Sequence, residues 1–172
     1  MVTSTVRAGA GIVLLALALP IAACASQPRP EPTASLSVED EGRAFLLEQG
    51  YATNEGRLAP KTPEHERLVA EVIDSGVWEG IPDEDLAWMS LELTLDVCLK
   101  AIESGHDVDV DRVQAHIDDP GILQTWARAF GESDPGVPFM LGGLAITGMK
   151  HLCPDDYPDW IAAYRELPIP TG

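Results

Sequence analysis

Apolar residues fall into three regimes along this chain. Residues 8–19 (AGAGIVLLALAL) form an unbroken apolar run that ends at Pro20. Residues 25–36 (ASQPRPEPTASL) are polar, with Pro28, Pro30 and Pro32 in alternation. From residue 37 onward, apolar positions recur three and four apart, the spacing of one helix face, and the alternation typical of strands is scarce.

Helix starts and stops divide the third regime. Ser37-Val38-Glu39-Asp40 reads as a capped start, with a hydroxyl and then an acid three residues on. That helix is expected to bury Phe45 and Leu46 and to stop near Gly50. Residues 51–61 read as a loop containing Asn54, Gly56 and Pro60. Thr62-Pro63-Glu64 is a second start, with Pro at the first helical position. Leu68, Val69, Val72 and Ile73 share its inner face, and Gly76 ends it.

Pro82 and Asp83 open the longest helix, over about 83–103. Asp85, Glu92, Asp96, Lys100 and Glu103 form its polar stripe. Leu86, Met89, Leu93 and Val97 lie opposite, with Leu91, Leu95, Cys98 and Ile102 widening the apolar face. Shorter helices are expected over 109–118, 121–130, 137–152 and 158–166. The helix over 137–152 carries Gly142, Gly143 and Gly148. Each costs about 1 kcal/mol of helix stability, which close helix–helix packing would offset. Pro154 stops that helix directly after Cys153. These signals predict an all-α fold: a compact bundle of five or six short helices with one disulfide.

The apolar run changes the picture of where the domain works. Residues 1–7 carry one positive charge, at Arg7. Twelve helical residues rise about 18 Å, short of the roughly 30 Å hydrocarbon core, so the run fits a signal peptide rather than a membrane span. Ile21-Ala22-Ala23-Cys24 resembles the bacterial lipobox, in which the cysteine is diacylated and becomes the new N-terminus. On this reading residues 1–23 are a lipoprotein signal peptide. Residues 24–36 are the lipidated cysteine and a Pro-rich linker, and residues 37–172 are the helical domain. Two acyl chains, at about 0.8 kcal/mol per buried methylene, hold a protein on a membrane where one does not. Extended prolines rise roughly 3.1 Å per residue, a reach on the order of 35 Å for the linker. The alternative is ordinary secretory cleavage with Cys24 a spare thiol.

With Cys24 assigned to lipid, two of the three cysteines remain, Cys98 and Cys153. An even pair in an oxidising compartment points to a disulfide. Two buried thiols are the alternative. A zinc site is disfavoured, because His151 and two cysteines do not complete a tetrahedral set.

Phe45-Leu46, Val97-Cys98-Leu99 followed by Gly105, and Leu152-Cys153-Pro154 together resemble the actinobacterial secreted family called domain of unknown function 732. The resemblance spans roughly residues 86–154, with a looser fit back to Phe45. It implies a small, all-helical, extracytoplasmic domain with one cysteine pair and no assigned activity.

Charge narrows the partners. The chain has 28 acidic residues against 11 basic ones, a net charge of −17. Loss of the leader removes Arg7 and no acid. Such a surface repels nucleic acid and anionic headgroups, so no nucleic-acid partner is expected. The expected partners are the membrane, through Cys24, and an envelope protein or small ligand.

Candidate chemistry is thin. Asp107, Asp109, Asp111 and Asp118 echo positions 1, 3, 5 and 12 of a calcium-binding EF-hand loop. Arg112, however, stands where that loop needs glycine, and Asp109 and Asp111 equally suit the cap and first turn of a helix. His151, Asp155, Asp156 and Asp159 gather around Cys153, either as an acid–base or metal site or as a capped turn. The four histidines (65, 106, 116 and 151) all lie in locally polar sequence. Neither a GxSxG elbow nor an HExxH pair occurs, and Gly143–Lys150 (GLAITGMK) misses the phosphate-binding loop by one residue. Trp78, Trp88, Trp126 and Trp160 are candidates for a stacking surface or for core packing. No catalytic residue and no cofactor are assigned. The favoured function is a non-catalytic binding or interaction module of the cell envelope. The alternatives are a small envelope hydrolase using acids or His151, and a weak cation-binding wall component.

Overall fold

The computed structural model describes residues 36–51, 56–130 and 136–170. The expected signal peptide, Cys24 and nearly all of the Pro-rich linker lie outside the described residues, as does Asn54. Among the described residues there are seven helices and no strand. They are α1 (Val38–Glu48), α2 (Pro63–Asp74), α3 (Asp83–Glu103), α4 (Val110–Asp118), α5 (Ile122–Ala129), α6 (Gly136–Leu152) and α7 (Tyr157–Glu166). The all-α expectation holds, but the helices exceed the expected five or six. The short α4 and α5 are separate, as expected, with Pro120 and Gly121 between them.

The caps form where the sequence places them. Ser37 Oγ accepts from the Asp40 N–H, Thr62 Oγ1 from the His65 N–H, and Asp109 from the Arg112 N–H. Gly50 and Gly105 close α1 and α3 in the left-handed region, at φ of 77° and 68°. After α3, Gly105 N–H donates to Ile102 O and His106 N–H to Ala101 O, the paired bonds of a Schellman stop. That stop fixes the position of His106.

α3 and α6 form the central pair, and α2 and α1 also pack on α3. α5 and α7 pack on α6, and α4 packs against α7. The apolar face expected on α3 is buried throughout, from Leu86 to Ile102. Each such leucine or valine contributes roughly 1.5–3 kcal/mol by leaving water, so α3 is the spine of the core.

Two expectations need correction. α1 buries no residue fully, and Phe45 and Leu46 are only half-buried, because among the described residues α1 packs chiefly along one flank of α3. The polar stripe of α3 is also not a solvated face along its length. Glu92 accepts a hydrogen bond from Trp126 Nε1 at 2.8 Å, and Asp96 is two-thirds covered, since α4 and α5 fold over that side.

The glycines of α6 sit where neighbours come close. A β-carbon on Gly148 would overlap Thr94 of α3, and one on Gly143 would stand 2.6 Å from the Tyr164 hydroxyl of α7. Close packing therefore offsets the helix cost of these residues.

Candidate functional site

Cys98 and Cys153 are bonded, with their Cα atoms 6.0 Å apart. The bond ties the buried side of α3 to the residue just past α6. It consumes both thiolates that the zinc alternative needed, and the free-thiol alternative falls with it.

The EF-hand echo does not assemble. Asp109 is spent on its helix cap, with Oδ1 accepting from the Arg112 N–H at 2.8 Å. Asp111 occupies the exposed first turn of α4. Asp118 accepts from Gln114. Arg112 donates to the carbonyl of Asp107, an oxygen at the first position of the would-be loop. Among the described residues, no group of three or more His, Cys, Asp or Glu side chains is placed to hold a metal ion.

The cluster around Cys153 also divides. His151 turns toward α2, and Nε2 lies 2.9 Å from Glu71 Oε2. Asp156 turns the other way and meets His106 at 2.8 Å.

Two histidines are buried in the fold rather than solvated. His65 is fully buried. Its Nδ1 accepts the Lys61 N–H at 3.1 Å and lies 3.3 Å from the Tyr51 hydroxyl, while Nε2 faces Gln49 Oε1 at 3.0 Å. A backbone N–H can only donate, so Nδ1 is the acceptor and Nε2 carries the proton. Burial keeps this ring neutral by lowering its pKa. His65 thus ties the 51–61 loop to α1 and α2. His116 is buried against Trp160, ring centroids 6.0 Å apart. The signal for both was helical spacing: His65 precedes Leu68 and Val72 on one face, and His116 follows Val113 on another.

Three tryptophans gather. Trp88, Trp126, Phe130 and Trp78 form a run with centroids 4.9, 6.3 and 6.0 Å apart. All four are half-buried, and Trp160 stands apart beside His116.

The slot between α2, α6 and α7 was missed by sequence reasoning. It encloses about 350 Å³. Leu68 and Val72 of α2, Leu144 of α6, and Trp78 form its apolar walls. Gly143 and Gly148 of α6 also line it. Val77 and Met140 stand exposed at the rim. At one end Glu71 takes Lys150 Nζ on one carboxylate oxygen and His151 on the other. These two hydrogen bonds lower the Glu71 pKa. The result is an apolar slot in the size range of small-molecule sites, closed at one end by a fixed set of donors and acceptors. It depends on how far apart the helices stand, for which the sequence carries no local signal.

The fold and slot define a disulfide-stapled helical domain with one amphipathic recess on this face. No family model matches the chain, and neither do any curated protein nor any solved structure.

Proposed function

We propose that this chain is an extracytoplasmic lipoprotein whose helical domain is a non-catalytic binding module. The module takes the apolar part of a small amphipathic molecule into the α2–α6–α7 slot. The slot itself carries this reading: apolar walls end in the Glu71, Lys150 and His151 cluster, so one end suits a chain or ring and the other a polar head. His151 Nε2 is committed to Glu71, which supports a positioning role for that histidine over proton shuttling. The disulfide supports an oxidising compartment. The lipobox-like Ile21–Cys24 and the apolar run before it support anchoring.

Titration of the full chain with a dansylated undecanoic acid, competed by unlabelled dodecanol, tests the slot. Saturable one-to-one binding that weakens at least tenfold in Thr147→Phe is expected, because the added ring fills the slot. Non-saturable binding, or equal binding by Thr147→Phe, would overturn the reading. Anchoring has its own test. Cys24→Ser is expected to move the protein out of the membrane fraction, and unchanged fractionation and mass would refute the lipid anchor.

A further inference from the structure

His106 stands one residue past the Schellman glycine of α3, in the left-handed region at φ 60°. Its two ring nitrogens face two carboxylates on different elements. Nδ1 is 2.8 Å from Asp156 Oδ1, in the turn after Cys153, and Nε2 is 3.0 Å from Glu41 Oε1 of α1. A carboxylate can only accept, and a neutral imidazole has one N–H. Both contacts are therefore hydrogen bonds only when the ring is a cation. Without the second proton, one nitrogen lone pair faces a carboxylate at hydrogen-bond distance.

α1 depends on this contact more than other helices would. It buries no residue fully, and Val38 and Leu47 are exposed. A cavity of about 700 Å³ lies between α1 and the disulfide turn, bordered by Phe45, Glu48, Cys153 and Asp159.

We infer that His106 is a pH-operated clasp, which holds α1 to the Cys153–Asp156 turn while its ring is charged and releases α1 when the ring loses a proton. The groups facing the ring are Glu41 of α1 and Asp156 of the turn. Glu48, Asp155 and Asp159 border the same cavity and add negative potential. On the ring's own segment, Arg112 donates to the Ser104 and Asp107 carbonyls, and its charge opposes that of the ring. Both carboxylate hydrogen bonds raise the His106 pKa. The clasp is closed below the ordinary histidine value of about 6.5 and opens as pH rises through the raised value. Opening widens the cavity beneath α1.

Amide hydrogen exchange of the full chain between pH 6 and 9, corrected for intrinsic exchange rates, tests this. Protection across Val38–Glu48 is expected to fall at least threefold over the range, with α3 and α6 unchanged. His106→Asn keeps a residue that tolerates the left-handed backbone and is expected to abolish the step. Glu41→Gln, on an exposed helix face, is expected to shrink it and gives the same answer should His106→Asn misfold. Flat protection in the native chain, or an undiminished step in Glu41→Gln, would overturn the clasp. So would a step shared by α3 and α6, which would report global opening.

Discussion

Thr94 Oγ1 occupies the space where a β-carbon at position 148 would stand, so the α3–α6 contact there requires glycine. Both residues are fully buried or nearly so, and neither backbone can retreat without moving the core. Gly148→Ala is therefore expected to lower stability by about 1–3 kcal/mol, the usual cost of overpacking. Adding Thr94→Ala removes the obstructing hydroxyl and should recover most of the loss. A urea double-mutant cycle measures this coupling. Simple additivity would show that the two sites do not meet.

The disulfide joins residues 55 apart in sequence. By chain entropy, a closed loop of that size stabilises the fold by about 4 kcal/mol. Cys98→Ala with Cys153→Ala should lose about that much unfolding free energy in urea titration, at an unchanged helical circular dichroism signal. A loss below about 1 kcal/mol would mean that the α3–α6 packing already restricts the chain.

Much of this architecture is legible in sequence because its signals are local. Ser37, Thr62 and Asp109 announce helix starts, and the apolar face of α3 can be read from Leu86 to Ile102 with no knowledge of what packs on it. The sequence also flags Cys98 and Cys153. What could not be read is which polar residues the tertiary fold encloses. Asp96 belongs to a polar stripe by helical period, yet α4 folds over it. His106 looks like a loop residue, and only the meeting of α1 with the Cys153 turn gives it two partners, 65 and 50 residues away. The slot depends on the separation of α2 and α6, which no local pattern encodes.

Asp109 offers a direct separation of cap from calcium ligand. Its carboxylate accepts the Arg112 N–H, and removing such a cap costs typically about 1 kcal/mol. Asp109→Ala should lower thermal stability accordingly, by the same amount with and without millimolar calcium. A calcium-dependent rise in the native melting temperature that vanishes in Asp109→Ala would instead restore the EF-hand reading.

Asp96 and His116 set opposite pH dependences within one pair, a partly covered carboxylate beside a buried ring. Asp96 Oδ2 lies 3.8 Å from His116 Nδ1, too far for a hydrogen bond. Burial raises the Asp96 pKa to about 6 and lowers that of His116 to about 4. At neutral pH the pair is thus a carboxylate beside a neutral ring. The Asp96 contribution to stability is fully present below its unfolded pKa of about 3.9 and is lost as pH rises through about 6. The His116 contribution is present above about 6.5 and is lost as pH falls toward about 4. Asp96→Asn removes the buried charge and should raise stability at pH 7. A displacement of this size converts to nearly 3 kcal/mol, and solvent screening at a carboxylate one-third exposed cuts that to about 1 kcal/mol. No gain is expected at pH 3.5, where the native acid is already protonated. His116→Phe keeps the edge-on packing against Trp160 and should flatten the decline in stability between pH 6.5 and 4. Urea unfolding of both variants across pH 3.5–8 measures the two slopes. Equal gains for Asp96→Asn at both ends of the range would show that its carboxylate titrates alike in the folded and unfolded chain.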